Sequence, residues 1–250
     1  MLGMSTSGTG GPEDEPLLAS PRSTAFLALG VVTLTAVVFV LVGLHGTLAT
    51  IQTIDNAWLR LMISSRAQPL TVIAKLFNVL GLVYVTLPVR IALAGFLALR
   101  RRWWHLAAFA GAVTMSELLI GPLKDAYDRP RPPGSLVATS GGSFPSGHAV
   151  AASVTVIAVV IALVPPGRQR ALWGAVAVAF AILMGLSRAY LAAHWLSDAT
   201  AGILLGTSCA LTSALVTDLL QRRWHARKKS VGRDADLGNV LAPGHAEARG

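Results

Sequence analysis

The sequence predicts an all-α polytopic membrane protein, with six transmembrane helices in a bundle. Three observations carry that expectation. Hydrophobic residues make up 53% of the 250 positions and charged residues only 13%, with a mean hydropathy of +0.60, a balance that sets the chain apart from soluble domains. The apolar residues gather in runs long enough to cross a hydrocarbon core, which takes about 20 residues at ~1.5 Å each. The net charge is +9, yet aromatics are only 6% of the chain and the cations sit mostly at the ends of apolar runs. That basicity reads as topology and argues against a nucleic-acid partner.

Residues 1–22 are rich in Gly, Ser, Thr and Pro and carry Glu13, Asp14 and Glu15, so they are expected to form a disordered cytoplasmic arm. They lack the basic start of a signal peptide. The membrane domain then covers 23–220. Residues 23–44 are free of charge and form the first span. Residues 45–69 mix Asp55, Trp58, Arg60 and Arg66 with Ile51, Ile54, Leu59, Leu61 and Met62, which suits an amphipathic segment at the interface or a plain loop. Residues 70–99 are one long apolar run enclosing Lys75 and Arg90, closed by Arg100, Arg101, Arg102, Trp103 and Trp104. A basic cluster beside tryptophans marks a cytoplasmic interface. Residues 105–123 return across the membrane with Glu117 inside. Residues 146–164, 171–186 and 195–220 are the last three spans, with a short basic turn at 165–170. Residues 221–250 are expected to be a basic cytoplasmic tail, largely disordered. The single cysteine, Cys209, lies in the last apolar run, which excludes a disulfide framework and a Cys-based metal site.

With the amino terminus inside, Arg22, Arg100 to Arg102, Arg168, Arg170, Arg222, Arg223, Arg227, Lys228 and Lys229 all fall on the cytoplasmic side. The orientation satisfies the positive-inside rule. Three polar clusters then share the opposite face. They are the stretch from Lys124 to Pro132, the stretch from Phe144 to His148, and Ser187 and Arg188 followed by His194 and Asp198.

These clusters hold the inventory needed to bind and transfer a phosphoryl group. Transfer asks a protein chiefly for positioning and for neutralisation of the equatorial oxygens, which Lys and Arg donors supply. Lys124, Arg131 and Arg188 are the candidates, and Arg129 either shares the work or faces solvent. Ser146 is placed to cap the fourth helix, leaving the amides of Gly147 and His148 toward an anion. His148 would stand at the rim as a proton donor to a leaving alkoxide. His194 and Asp198 are four residues apart, so on a helix they share a face and the carboxylate can hydrogen-bond one ring nitrogen. The other nitrogen would then be free to attack phosphorus. Glu117 has two readings, an ion pair with Arg90 or a brace for Lys124.

Taken together, these residues resemble the type 2 phosphatidic acid phosphatase family, which is related to the vanadium haloperoxidases. The signature reads Lys124 to Arg131-Pro132, Pro145-Ser146-Gly147-His148, and Ser187-Arg188 to His194 to Asp198, with no departure at any signature position. The resemblance covers residues 24–220. It implies a metal-independent phosphatase without a cofactor, in which His194 is the nucleophile, Asp198 orients it and His148 is the general acid. Lys124, Arg131, Ser146, Gly147 and Arg188 would bind the phosphate. It further implies a multi-pass cell-membrane protein with its active site on the extracytoplasmic side. The substrate would be a lipid phosphate or diphosphate such as phosphatidic acid, phosphatidylglycerol phosphate or a polyprenyl diphosphate. The sequence chooses neither among these nor an oligomeric state. Rival readings are a transporter using Lys75, Arg90 and Glu117, a lipid-headgroup binder without turnover, and a haloperoxidase-like use of bound vanadate.

Overall fold

A computed structural model describes residues 17–241, and within them every regular element is an α-helix. The order is α1 (Pro21–Gly43), α2 (His45–Ser64), α3 (Gln68–Leu80), α4 (Val83–Leu99), α5 (Trp103–Tyr127), α6 (Gly147–Leu163), α7 (Arg168–Tyr190) and α8 (Leu196–Leu241). α1 starts where Ser20 accepts the Ser23 amide and Pro21 occupies the first turn, the position where a missing N–H costs nothing.

α6 lies at the centre, packed by α5, α7 and α8. Ten of its 17 residues are buried, mostly Ala, Val and Ile. α8 comes close enough that side chains at two of its positions would collide with α6. A Cβ at Gly202 would fall 2.6 Å from the Ser146 carbonyl oxygen, and one at Gly206 would fall 2.6 Å from that of Val150. Small residues four apart let two backbones meet, which is how helices associate where lipid supplies no hydrophobic drive. The outer helices do the reverse. Phe26, Leu99, Leu118 and Leu172 stand exposed, an arrangement suited to hydrocarbon rather than water.

Among the described residues four helices, α1, α5, α7 and α8, are long and apolar enough to cross a membrane, and α3 with α4 makes a fifth if the bent pair counts as one span. α6 is apolar but shorter, at 17 residues. By that measure the count stands at four or five, below the six expected from the sequence.

The run at 70–99 is not one straight helix. α3 and α4 meet at a 50° bend, because Gly81 ends α3 and Leu82 takes an extended conformation with ψ at 148°. The segment at 45–69 is not a loop, since α2 occupies most of it.

The chain ends also differ from expectation. Of the arm expected over 1–22, residues 1–16 lie outside the described residues. Leu17 and Leu18 are buried, and α1 has begun by Pro21. The Leu18 amide donates to Asp218 Oδ1 at 3.2 Å and its carbonyl accepts from Arg222 at 3.1 Å, so two apolar side chains and paired backbone groups hold this stretch. Of the tail expected over 221–250, residues 221–241 continue α8. Good helix formers such as Gln, Arg, Ala and Lys recur there, and no proline occurs before Pro243. Residues 242–250 lie outside the described residues.

Candidate active site

The three polar clusters meet at one end of the bundle. Lys124 comes from the last turn of α5, which stops at Asp128 in the left-handed region, with φ at 34°. Arg131 comes from the connection between α5 and α6, Gly147 and His148 from the first turn of α6, and Arg188 from the last turn of α7. His194 lies in the turn between α7 and α8. A left-handed alanine, Ala192 with φ at 53°, reverses the chain there, and the Ala193 amide donates back to the Arg188 carbonyl at 3.0 Å. These six residues line a cavity of about 320 Å³ together with Ala138, Thr139 and Ser140.

Both ring nitrogens of His194 have defined partners. Nδ1 lies 2.7 Å from the carbonyl oxygen of Ser143, which can only accept, so Nδ1 carries the proton. Nε2 lies 3.2 Å from Arg131 Nη1, which can only donate, so Nε2 keeps its lone pair. Burial, the largest influence, lowers the pKa of this imidazole from 6.5 to about 4, with Arg131 and Arg188 pushing the same way against the raising pull of Asp198. A neutral base with its lone pair toward a cationic cavity follows.

This arrangement corrects the expected His194 and Asp198 hydrogen bond. α8 begins at Leu196, so His194 is not on the helix, and its Nδ1 is 3.7 Å from Asp198 Oδ2. Asp198 instead works through Ser143. Its Oδ2 accepts the Ser143 hydroxyl and the Trp195 amide, the latter at 2.9 Å, while its Oδ1 accepts from Arg129 Nη1 at 2.7 Å. The Ser143 amide donates to the Arg129 carbonyl at 2.8 Å. Amide, hydroxyl and carbonyl of Ser143 are thus all engaged, and the carbonyl that takes the His194 proton is held in place.

Arg129 neither lines the cavity nor faces solvent. Its guanidinium is buried between two carboxylates, Asp198 and Asp55, the second at 2.8 Å, with Gln52 and Ser197 completing its partners. Asp55 also accepts the Ser197 amide at 2.9 Å and so caps the start of α8.

The remaining candidates are placed as follows. Lys124 Nζ donates to the Gly142 carbonyl at 2.6 Å, and Arg131 donates to the carbonyls of Ser140, Gly141, Gly142 and Ala193. Arg188 is buried and bonds the Asn78 side chain. Ser146 occupies the cap position of α6 without making a side-chain cap, so its expected capping bond is absent. Its buried hydroxyl, His148 Nε2 and Arg188 Nε carry no hydrogen bond within the protein. Buried polar atoms left so cost about 1–3 kcal/mol each, which a bound anion would recover. Glu117 is outside the site. It pairs with Arg90 at 2.7 Å, and Arg90 also donates to Thr155 at 2.9 Å, so the bracing of Lys124 is not what forms.

Contributors that were not among the sequence candidates include Gln52, Asp55, Asn78, Ser143 and Ser197. Asn78 carried a usable signal, since an amide inside an apolar run needs a partner. Asp55 and Gln52 sat in a mixed segment whose buried face periodicity did not reveal.

Comparison with known proteins points to one family. Residues 105–222 match the family model described as the PAP2 superfamily. Among solved structures, the chain is similar to a transmembrane PAP2 type phosphatidylglycerolphosphate phosphatase from Bacillus subtilis, with a TM-score of 0.63 and 22% identity over 80% of this chain and 96% of that one. It is also similar to LpxE from Aquifex aeolicus, with a TM-score of 0.52 and 26% identity over 62% of this chain and 91% of that one. No curated protein matches the sequence. Over residues 105–222 the chain thus matches the PAP2 superfamily, and it is a phosphatase acting on phosphoester bonds.

Proposed function

We propose that this phosphatase hydrolyses a lipid phosphomonoester or diphosphate through a phosphohistidine on His194, at the extracytoplasmic face of the cell membrane. The observation that carries the reading is the neutral, buried His194, whose Nε2 faces a cavity shared with Lys124, Arg131, Arg188 and His148. Nε2 attacks phosphorus and forms the P–N bond as the bond to the leaving oxygen breaks. Lys124, Arg131, Arg188, Ser146 and the first amides of α6 neutralise the phosphoryl oxygens, replacing the loop carbonyls that now occupy Lys124 and Arg131. His148 gives its proton to the departing alkoxide, then takes one from the water that cleaves the P–N bond and releases phosphate. Asp198, acting through Ser143, keeps the His194 proton on Nδ1 throughout.

A lipid substrate is supported by a second cavity. About 330 Å³ of nearly apolar groove is lined by Trp58, Met62, Phe77, Leu183 and Tyr190 among others. Phe77 and Ser187 line this groove, and their chain neighbours Asn78 and Arg188 belong to the polar site. An acyl or prenyl chain would lie there with its phosphate on the cations.

Six crossings fit this reading, with α3 and α4 as one bent span and α6 as the short one. Seventeen residues reach about 26 Å, less than a ~30 Å core, so the catalytic end of α6 would be sunk below the surface.

The test is phosphate release from phosphatidic acid, phosphatidylglycerol phosphate and polyprenyl diphosphate by the purified protein, with quenched samples examined for phosphohistidine. His194→Ala abolishes both signals. Turnover that survives His194→Ala would sink the assignment. Cysteine introduced at Thr139, which lines the cavity, is labelled by an impermeant reagent from outside, and labelling from the cytoplasmic side alone would reverse the orientation.

A further inference from the structure

We propose that the end of α3, from Asn78 to Gly81, is a positioning element for the site: Asn78 sets the Arg188 guanidinium and Gly81 seats the His148 imidazole. The proposal rests on the roles given above to Arg188 as a phosphate ligand and His148 as the acid. Asn78 Oδ1 accepts from Arg188 Nη1, the one side-chain acceptor described for a guanidinium otherwise buried without a carboxylate. An amide rather than an acid there orients the arginine without neutralising it, so its charge stays available to an anion.

Gly81 acts by what it lacks. A Cβ at this position would fall 2.5 Å from His148 Cδ2, 3.1 Å from His148 Cγ and 3.2 Å from Met184 Cε. The backbone there is ordinary, with φ at −88°, so the glycine is required for space and not for conformation. The 50° bend that interrupts the second span thus brings a bare stretch of backbone against the imidazole ring. Adding a methyl group turns or displaces the ring, and a general acid displaced by even ~1 Å loses much of its effect.

The experiment compares aryl and alkyl phosphates bearing the same apolar tail, with inorganic vanadate as the probe of phosphate affinity. An aryl oxide leaves without help, whereas an alkoxide needs the proton. Gly81→Ala is expected to lower kcat on the alkyl ester about ten-fold or more and on the aryl ester by less than about three-fold, with vanadate inhibition unchanged within about two-fold. Asn78→Ala is expected to weaken vanadate inhibition and raise KM about ten-fold on both esters alike. His148→Ala serves as the reference. If it slows both esters equally, the acid role itself fails, whereas if it discriminates and Gly81→Ala does not, the seating role fails. The double variant Gly81→Ala with His148→Ala closes the cycle, since a methyl group acting only through the ring costs nothing further once the ring is gone. It also keeps the question open to measurement if Gly81→Ala alone does not fold. Additive losses in the double variant, or an Asn78→Ala variant with unchanged vanadate inhibition, would overturn the proposal.

Discussion

His194 donates its Nδ1 proton to the carbonyl of Ser143 at 2.7 Å and stands 3.7 Å from the carboxylate of Asp198. The carboxylate therefore orients the imidazole at one remove, by gripping the serine whose carbonyl receives the proton. Asp198→Asn is expected to cut kcat about ten-fold or more through loss of this arrangement, while vanadate inhibition changes by less than about two-fold. Ser143→Ala keeps the carbonyl and loses only the hydroxyl grip, so its loss should be smaller than that of Asp198→Asn. A matching fall in vanadate affinity for Asp198→Asn would make the carboxylate part of the anion site instead.

The two ends of Arg129 hold Asp198 and Asp55, each within 2.8 Å and all three buried. Removing one partner of a buried pair leaves an uncompensated charge, at about 3–5 kcal/mol. Asp55→Ala should therefore lower the thermal midpoint markedly and also loosen the start of α8, whose Ser197 amide it caps. Arg60→Ala, on the same helix, serves as a comparison. Equal midpoints for the two variants would show that the Asp55 contact contributes little.

Protonation of His194 should work against folding. Its pKa falls from 6.5 to about 4 in the folded protein because burial disfavours the cation. The unfolded chain takes up the proton first as the pH drops, so stability present above 6.5 is withdrawn progressively as the pH falls toward 4. A melting midpoint recorded over that window should decline more steeply for the natural protein than for His194→Asn. Parallel slopes would show that His194 titrates at its ordinary value.

Arg90 and Glu117 form a pair away from the cavity, at 2.7 Å. Arg90 is buried, whereas the Glu117 side chain is 57% exposed, so Arg90→Glu should impair accumulation more than Glu117→Arg. The double swap should restore part of it. Because the pair does not touch the site, Glu117→Gln should leave turnover within about two-fold of normal. A sharp loss of turnover with normal accumulation would return Glu117 to the phosphate lysine.

Because the mechanism proposed above neutralises the phosphoryl oxygens with Lys124, Arg131 and Arg188, it should work without a divalent ion. Turnover in excess chelator is expected to match that in buffer within about two-fold, and strict dependence on added Mg²⁺ would break the mechanism proposed above.

Local chemistry made the membrane class, the run boundaries of α1, α5 and α6, and the cationic and imidazole side chains that line the cavity legible in the sequence. Apolar runs report solvent preference directly, and Lys124, Arg131, His148, Arg188 and His194 are polar interruptions whose cost in hydrocarbon demands a function. Packing decided the rest. Whether Asp198 reaches His194 itself or Ser143 depends on where α8 begins, and the turn at Ala192, with Asp55 capping Ser197 from a helix some 140 residues earlier, sets that. The break at Gly81 is written in the chain as one glycine among 24. Only the His148 ring lying against it shows why that glycine is bare, since crowding between residues far apart in sequence leaves no trace in the spacing of either.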